Sequence, residues 1–126
     1  MEAHIQDTLN DLAHMLGIDV LIPNVWDVVS IEFEHHGMLM IDAQINNVFM
    51  YLVDNFESRT KDMLQLTMSL CHPIEQQPPI NIHPIMIDEY KLGFLSKFSS
   101  SNFILPYVDT ALNLMLKKME YIKQIK

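Results

Sequence analysis

The chain reads as an α+β domain of order α-β-β-β-α-β-β-α, an antiparallel twisted sheet packed with helices. Three observations predict this. Apolar residues recur at helical spacing near both ends of the chain. Between residues 28 and 54 the period drops to two. The strand-like runs there are separated by turns too short for a crossover helix, so neighbouring strands must be antiparallel.

The first helix is expected over residues 3–16. Ile5, Leu9, Leu12, Ala13 and Leu16 fall on one face, with Asp7, Asn10, Asp11 and His14 opposite. Gly17 is placed to cap it. Pro23 and Asn24 mark an irregular link, with a short strand conceivable at Val20–Ile22. Val29, Ile31, Phe33 and His35 then alternate with Ser30, Glu32, Glu34 and His36, a half-buried strand ending at a turn on Gly37. A second strand runs from Met38 to Ala43. It sets Leu39, Ile41 and Ala43 against Met38, Met40 and Asp42. Asn46-Asn47 supplies the next turn, because asparagine tolerates left-handed backbone. Val48 to Asp54 forms the third strand.

Ser58 or Thr60 caps a second helix over about 60–71. Its Met63, Leu64, Leu66, Met68, Leu70 and Cys71 are apolar on more than one side. Such a helix needs two surfaces to bury it, and in a chain this small the second is a subunit interface. The stretch 72–79, with Pro73, Pro78 and Pro79, is a stiff loop. Ile80 to Ile87 resumes the strand pattern, but Pro84 lacks a ladder donor, so this strand belongs at an edge or is broken. Tyr90, Leu92, Phe94, Ser96 and Phe98 mark the fifth strand. After Ser99–Asn102 comes the last helix, with Pro106 in its first turn and an apolar stripe of Val108, Ala111, Leu112, Met115, Met119 and Ile122.

The 126 residues suit a single domain spanning 1–126, and 49% hydrophobic content with 3 Gly supports a packed core. The net charge is −8, and with Lys117, Lys118, Lys123 and Lys126 in the last helix, residues 1–104 carry about −10. Eight basic residues are few for a partner bound through phosphates, so neither nucleic acid nor an anionic membrane is expected. The lone Cys71 excludes an internal disulfide and reads as a buried thiol. The N-terminus lacks a secretory signal pattern, and no run reaches membrane-spanning length, so a reducing cytoplasm is the expected location.

A search for chemistry yields little. His35 and His36 are adjacent on a strand and point to opposite faces, while His4 and His14 do not share a helix face. No paired Cys/His spacing of a metal site occurs, and no nucleophile elbow or phosphate loop. Glu32 and Glu34 sit at i, i+2, a spacing open to a carboxylate pair but also that of a solvated strand face. No enzyme, cofactor or metal is therefore expected. What remains is an apolar surface. Ten methionines either fill core gaps or offer adaptable grooves for an extended peptide.

This layout resembles the class I chaperones of bacterial type III secretion, and within them the SycN-type chaperones of the secretion gatekeeper. The matching residues are Asp11-Leu12 through Leu16-Gly17-Ile18, the run Ile31-Glu32-Phe33-Glu34-His35-His36-Gly37-Met38-Leu39-Met40-Ile41, and Val48-Phe49-Met50-Tyr51-Leu52. The proline-rich stretch 73–79 and Pro84 have no counterpart in it. The resemblance implies a dimer, in the cytoplasm or peripheral at the secretion apparatus. It would keep the N-terminal chaperone-binding segment of a secreted gatekeeper or effector soluble and export-competent, a role in virulence. Carried onto this chain, it implies partner binding by Ile5, Leu9, Leu12, Leu16, Ile31, Phe33, Met38 and Met40. It also implies a dimer interface from Met63, Leu64, Leu66, Met68 and Leu70, within a homodimer or with a second small chaperone. Two other readings stay open: a small ligand-binding or enzyme domain, and an adaptor that docks the apparatus itself.

Overall fold

The two periods of the sequence become two layers in a computed structural model, which describes residues 2–18, 23–24, 28–56, 60–71 and 79–124. The elements are α1 (Ala3–Met15), β1 (Val28–Phe33), β2 (Gly37–Ala43), β3 (Asn47–Asn55), α2 (Thr60–Ser69), β4 (His83–Met86), β5 (Lys91–Ser99) and α3 (Leu105–Gln124), with a 3-10 turn at Ser100–Asn102. The strands form one antiparallel sheet in the order β1-β2-β3-β5-β4.

The register assigns the faces. Val29, Ile41, Met50 and Ser96 align across four strands, and Ile31, Leu39, Leu52, Phe94 and Pro84 align across all five. Because side chains alternate along a strand, these rows share one face. Their apolar members cluster with Ile5, Leu9 and Leu12 of α1, Met63 of α2 and the α3 stripe. All six stripe residues, from Val108 to Ile122, are buried. Three helices therefore cover this inner face.

Turns follow local chemistry. Gly17 closes α1 at φ +75°, and Asn46 turns β2 into β3 at φ +67°. The β1–β2 connection differs from the expected one. The strand stops at Phe33, the turn is Glu34–His36, and Gly37 opens β2. Gly37 adopts φ +94°, and a Cβ there would lie 2.2 Å from the Val53 carbonyl oxygen. Glycine is thus required by both conformation and space.

The fourth strand is shorter than the expected 80–87. Its continuous part is His83–Met86, with Ile80 in an isolated bridge before it, and it lies at the sheet edge, where the missing donor of Pro84 is tolerated. The fifth strand begins at Lys91, because Asp88 accepts hydrogen bonds from the N–H groups of Tyr90 and Lys91 and folds 88–90 into a turn. The second helix ends at Ser69, and Cys71 is half-buried rather than buried. The expected strand at 20–22, the Ser58 cap and most of the proline-rich loop lie outside the described residues.

Polar contacts tie the helical layer together. Thr8 Oγ1 donates to the Phe103 carbonyl at 2.9 Å inside the core. Lys118 Nζ donates to the Leu70 carbonyl at 2.6 Å, holding the end of α2 to α3.

Candidate functional site

The face of the sheet opposite the helices carries rows of its own. Glu32, Met38, Val53, Gly93 and Ile85 align across all five strands, followed by Ser30, Met40, Tyr51, Leu95 and His83. Among the described side chains of these rows only Val53 is buried. No described helix lies over them. Met40, Tyr51, Leu95 and Ile85 are half-buried, and Met38 is 38% exposed. This is an apolar sheet face with its methionines turned outward.

A groove of about 350 Å³ opens at one end of this face. Met38, Met40, Val53 and Ile87 give it apolar walls and floor, Phe33 reaches it from the end of β1, and Glu32, Glu34, Asp54, Asn55 and Lys91 form the rim. Two glycines shape the region. Gly93 stands opposite Val53, and a Cβ on it would lie 1.9 Å from the Leu52 carbonyl oxygen. Gly37 approaches β3 from the other side in the same way. With no side chain at either position, β2 and β5 close tightly on β3, and the row through Val53 keeps a gap at Gly93.

Farther along the face, Lys97 Nζ stands 5.9 Å from the centre of the Phe49 ring, a cation–π distance. Burial, with a smaller contribution from the charge of Asp42, pushes the Tyr51 phenol above its ordinary pKa. Its hydroxyl therefore stays neutral and serves as a polar handle on an otherwise apolar strip.

The residues expected to bind a partner divide. Met38 and Met40 meet in the groove, and Phe33 borders it at the end of β1 while packing against the core. Ile5, Leu9, Leu12 and Ile31 do not reach it, because they are buried on the inner face, Leu9 and Leu12 at 0% exposure. The physical reason is that α1 turns its one apolar face onto the sheet, and its other side is polar. Leu16, at the end of α1, packs half-buried against the core and is not among the lining residues.

The second helix divides in the same way. Met63 belongs to the core, Leu64, Leu66 and Leu70 are half-buried against it, and Met68 is 57% exposed. Sequence reasoning missed Val53 and Ile87. Val53 shares the alternation of Phe49 and Tyr51, which are on the same side as Met38 and Met40 in this register. That signal was present, but it does not say which face a helix covers.

Nothing in the described residues gathers three or more His, Cys, Asp or Glu side chains around a point where a metal would sit. His35 and His36 lie in the turn, and His36 Nε2 is bonded to Glu120 Oε1 at 2.8 Å. His4 Nε2 meets the Ser100 carbonyl rather than a serine hydroxyl. Glu34 has left the strand for the turn, so it and Glu32 do not stand as a strand pair. No described helix is long and apolar enough to cross a membrane.

Residues 4–122 match the family model of the type III secretory system chaperone SycN. No curated protein matches the chain. Solved structures share its fold, and three illustrate it. A chain of the ExsC–ExsE complex superposes with a TM-score of 0.74 at 13% identity, covering 99% of this chain and 96% of that one. A chain of the HopA1–SchA chaperone–effector complex gives 0.70 at 8% identity, covering 96% and 94%. A chain of the Yersinia pestis secretion chaperone SycH, crystallised with a stable fragment of YscM2, gives 0.63 at 12% identity, covering 94% and 98%.

Proposed function

The chain belongs to the SycN family of type III secretory system chaperones, and from that membership we propose that it holds the N-terminal segment of a secreted gatekeeper or effector in extended form. The observation that carries this reading is the uncovered sheet face with its methionine-walled groove. An unfolded segment gains by burying apolar anchors against such a surface and loses ordering entropy on binding. Methionine suits the task because its unbranched, polarizable side chain adapts to different anchors. The function needs no catalysis, and it belongs in the cytoplasm, where cargo waits for export.

Phe33, Met38 and Met40, with Val53 and Ile87, are the contacts we assign to the segment. Leu16, at the end of α1, packs against the core and is not assigned to the segment. Ile5, Leu9, Leu12 and Ile31 act from beneath, as the core that holds the sheet in shape. For the second subunit, this same chain or a second small chaperone, we assign Met68 with Leu64, Leu66 and Leu70, while Met63 anchors α2 to its own sheet. The solved complexes of ExsC with ExsE and of SchA with HopA1 support a partner-holding role for this fold.

The test is co-expression with the N-terminal segment of a secreted gatekeeper. A soluble complex of two chaperone chains per segment, with the segment still open to protease outside its anchors, is the expected outcome. A monodisperse monomer that captures no such segment contradicts the reading.

A further inference from the structure

The groove carries a charge pattern that selects among segments. Its rim holds three carboxylates and one lysine, and one of the carboxylates is already answered. Asp54 pairs with Lys123 of α3. Lys91 offsets one of the other two carboxylates in net charge; nearby Asp88, whose carboxylate accepts the Lys91 and Tyr90 N–H groups, feels the lysine charge only weakly. Glu32 and Glu34 remain. Among the described residues, Glu32 has no cation against it, and Glu34 has only His35 Nε2 at 3.8 Å, with the carboxylate side chain 87% exposed. Two carboxylates, only one of them offset in net charge, thus stand over walls built from Met38, Met40 and Ile87.

Resting on the cargo-holding reading above, we infer that this groove seats an apolar anchor of leucine or methionine size flanked within a few residues by lysine or arginine. The apolar part supplies affinity, because a volume of about 350 Å³ accommodates one or two such side chains. The charges supply orientation and on-rate, since complementary rim charges steer encounter and reject like-charged partners. A segment with acidic flanks would place like charges beside Glu32 and Glu34 and is disfavoured.

Two labelled fifteen-residue peptides with the same leucine anchors, one lysine-flanked and one glutamate-flanked, are titrated by fluorescence anisotropy against the full chain. The wild type should bind the lysine peptide about tenfold tighter, two exposed charge pairs each gained rather than opposed. Glu32→Lys with Glu34→Lys should reverse that preference. Asp7→Lys with Asp11→Lys, the same change of net charge on the exposed side of α1, should leave most of it. If the two double variants act alike, net charge and not the groove sets the preference, and the inference is overturned. Equal binding of both peptides, abolished by Met40→Glu, also overturns it while leaving the cargo-holding reading intact. Binding of neither peptide overturns it too, and capture of a co-expressed gatekeeper segment then decides the cargo-holding reading separately. Circular dichroism verifies folding, and Glu34→Gln, an isosteric change at an exposed site, replaces any reversal that unfolds and should then lessen the lysine preference.

Discussion

The imidazole of His36 lies 2.8 Å from the carboxylate of Glu120, joining the β1–β2 turn to the far end of α3 across 84 positions of sequence. Lys123, one turn further along α3, reaches the same region. It pairs with Asp54 and donates to the His35 carbonyl at 3.0 Å. The end of the last helix is thereby fastened to the strands that border the groove.

Lys123→Met should therefore loosen this end without unfolding the chain. The pair is partly exposed, at 32% and 26% of the two side chains, so its loss should cost about 1 kcal/mol or less. Urea denaturation in low and high salt measures this. The wild type should lose more stability on adding salt than the variant does.

Gly93→Ala should be far more damaging. The new methyl group would overlap the Leu52 carbonyl oxygen at 1.9 Å and crowd the Val53 Cα at 2.9 Å, both backbone atoms of the central strand. Neither can move without breaking the β3–β5 ladder. A loss above about 3 kcal/mol is expected, at the upper end for overpacking. Thermal melting of the purified variant, or its recovery only in the insoluble fraction, registers it.

Leu9 and Met40 should separate core from surface. Leu9→Ala removes a fully buried side chain and should cost about 2–5 kcal/mol. Met40→Glu alters a half-buried side chain on the uncovered face. It should leave the melting temperature near wild type while abolishing capture of the cargo segment. A pull-down paired with a melting curve distinguishes the two.

Asp88 gives a pH-dependent effect of defined sign. Its folded-state pKa is lowered, chiefly by the backbone hydrogen bond from Tyr90. It therefore stabilises the fold above the unfolded-state value, and that contribution is lost as the pH falls through the folded value. Asp88→Ala should be less stable than wild type at pH 7. The two should converge well below about pH 4, as followed by denaturation across that range.

Much of this fold was legible because its chemistry is local. The α3 stripe from Val108 to Ile122 is buried as its spacing implies. Asn46 and Gly17 take the left-handed backbone their positions called for, and Pro84 sits on the edge strand. The candidate site was only half legible. Alternation separates Met38 and Met40 from Leu39 and Ile41, but it is blind to which face the helices cover. That choice is made by long-range packing of α1 and α3, and it moves Ile5, Leu9, Leu12 and Ile31 into the core. The groove itself depends on Gly37 and Gly93 closing on β3 from opposite sides, a relation between strands that neither position's neighbours reveal.

The methionines provide the most direct test of the central claim, that the uncovered face of the sheet holds the cargo segment. With methionine methyl groups labelled, NMR spectra are recorded as the N-terminal segment of a secreted gatekeeper is added. The methyls of Met38 and Met40 should shift strongly, while those of Met50, Met115 and Met119, each at 0% exposure on the inner side, should keep their positions. Shifts confined to Met15 or Met68, with Met38 and Met40 unchanged in a formed complex, would contradict the account.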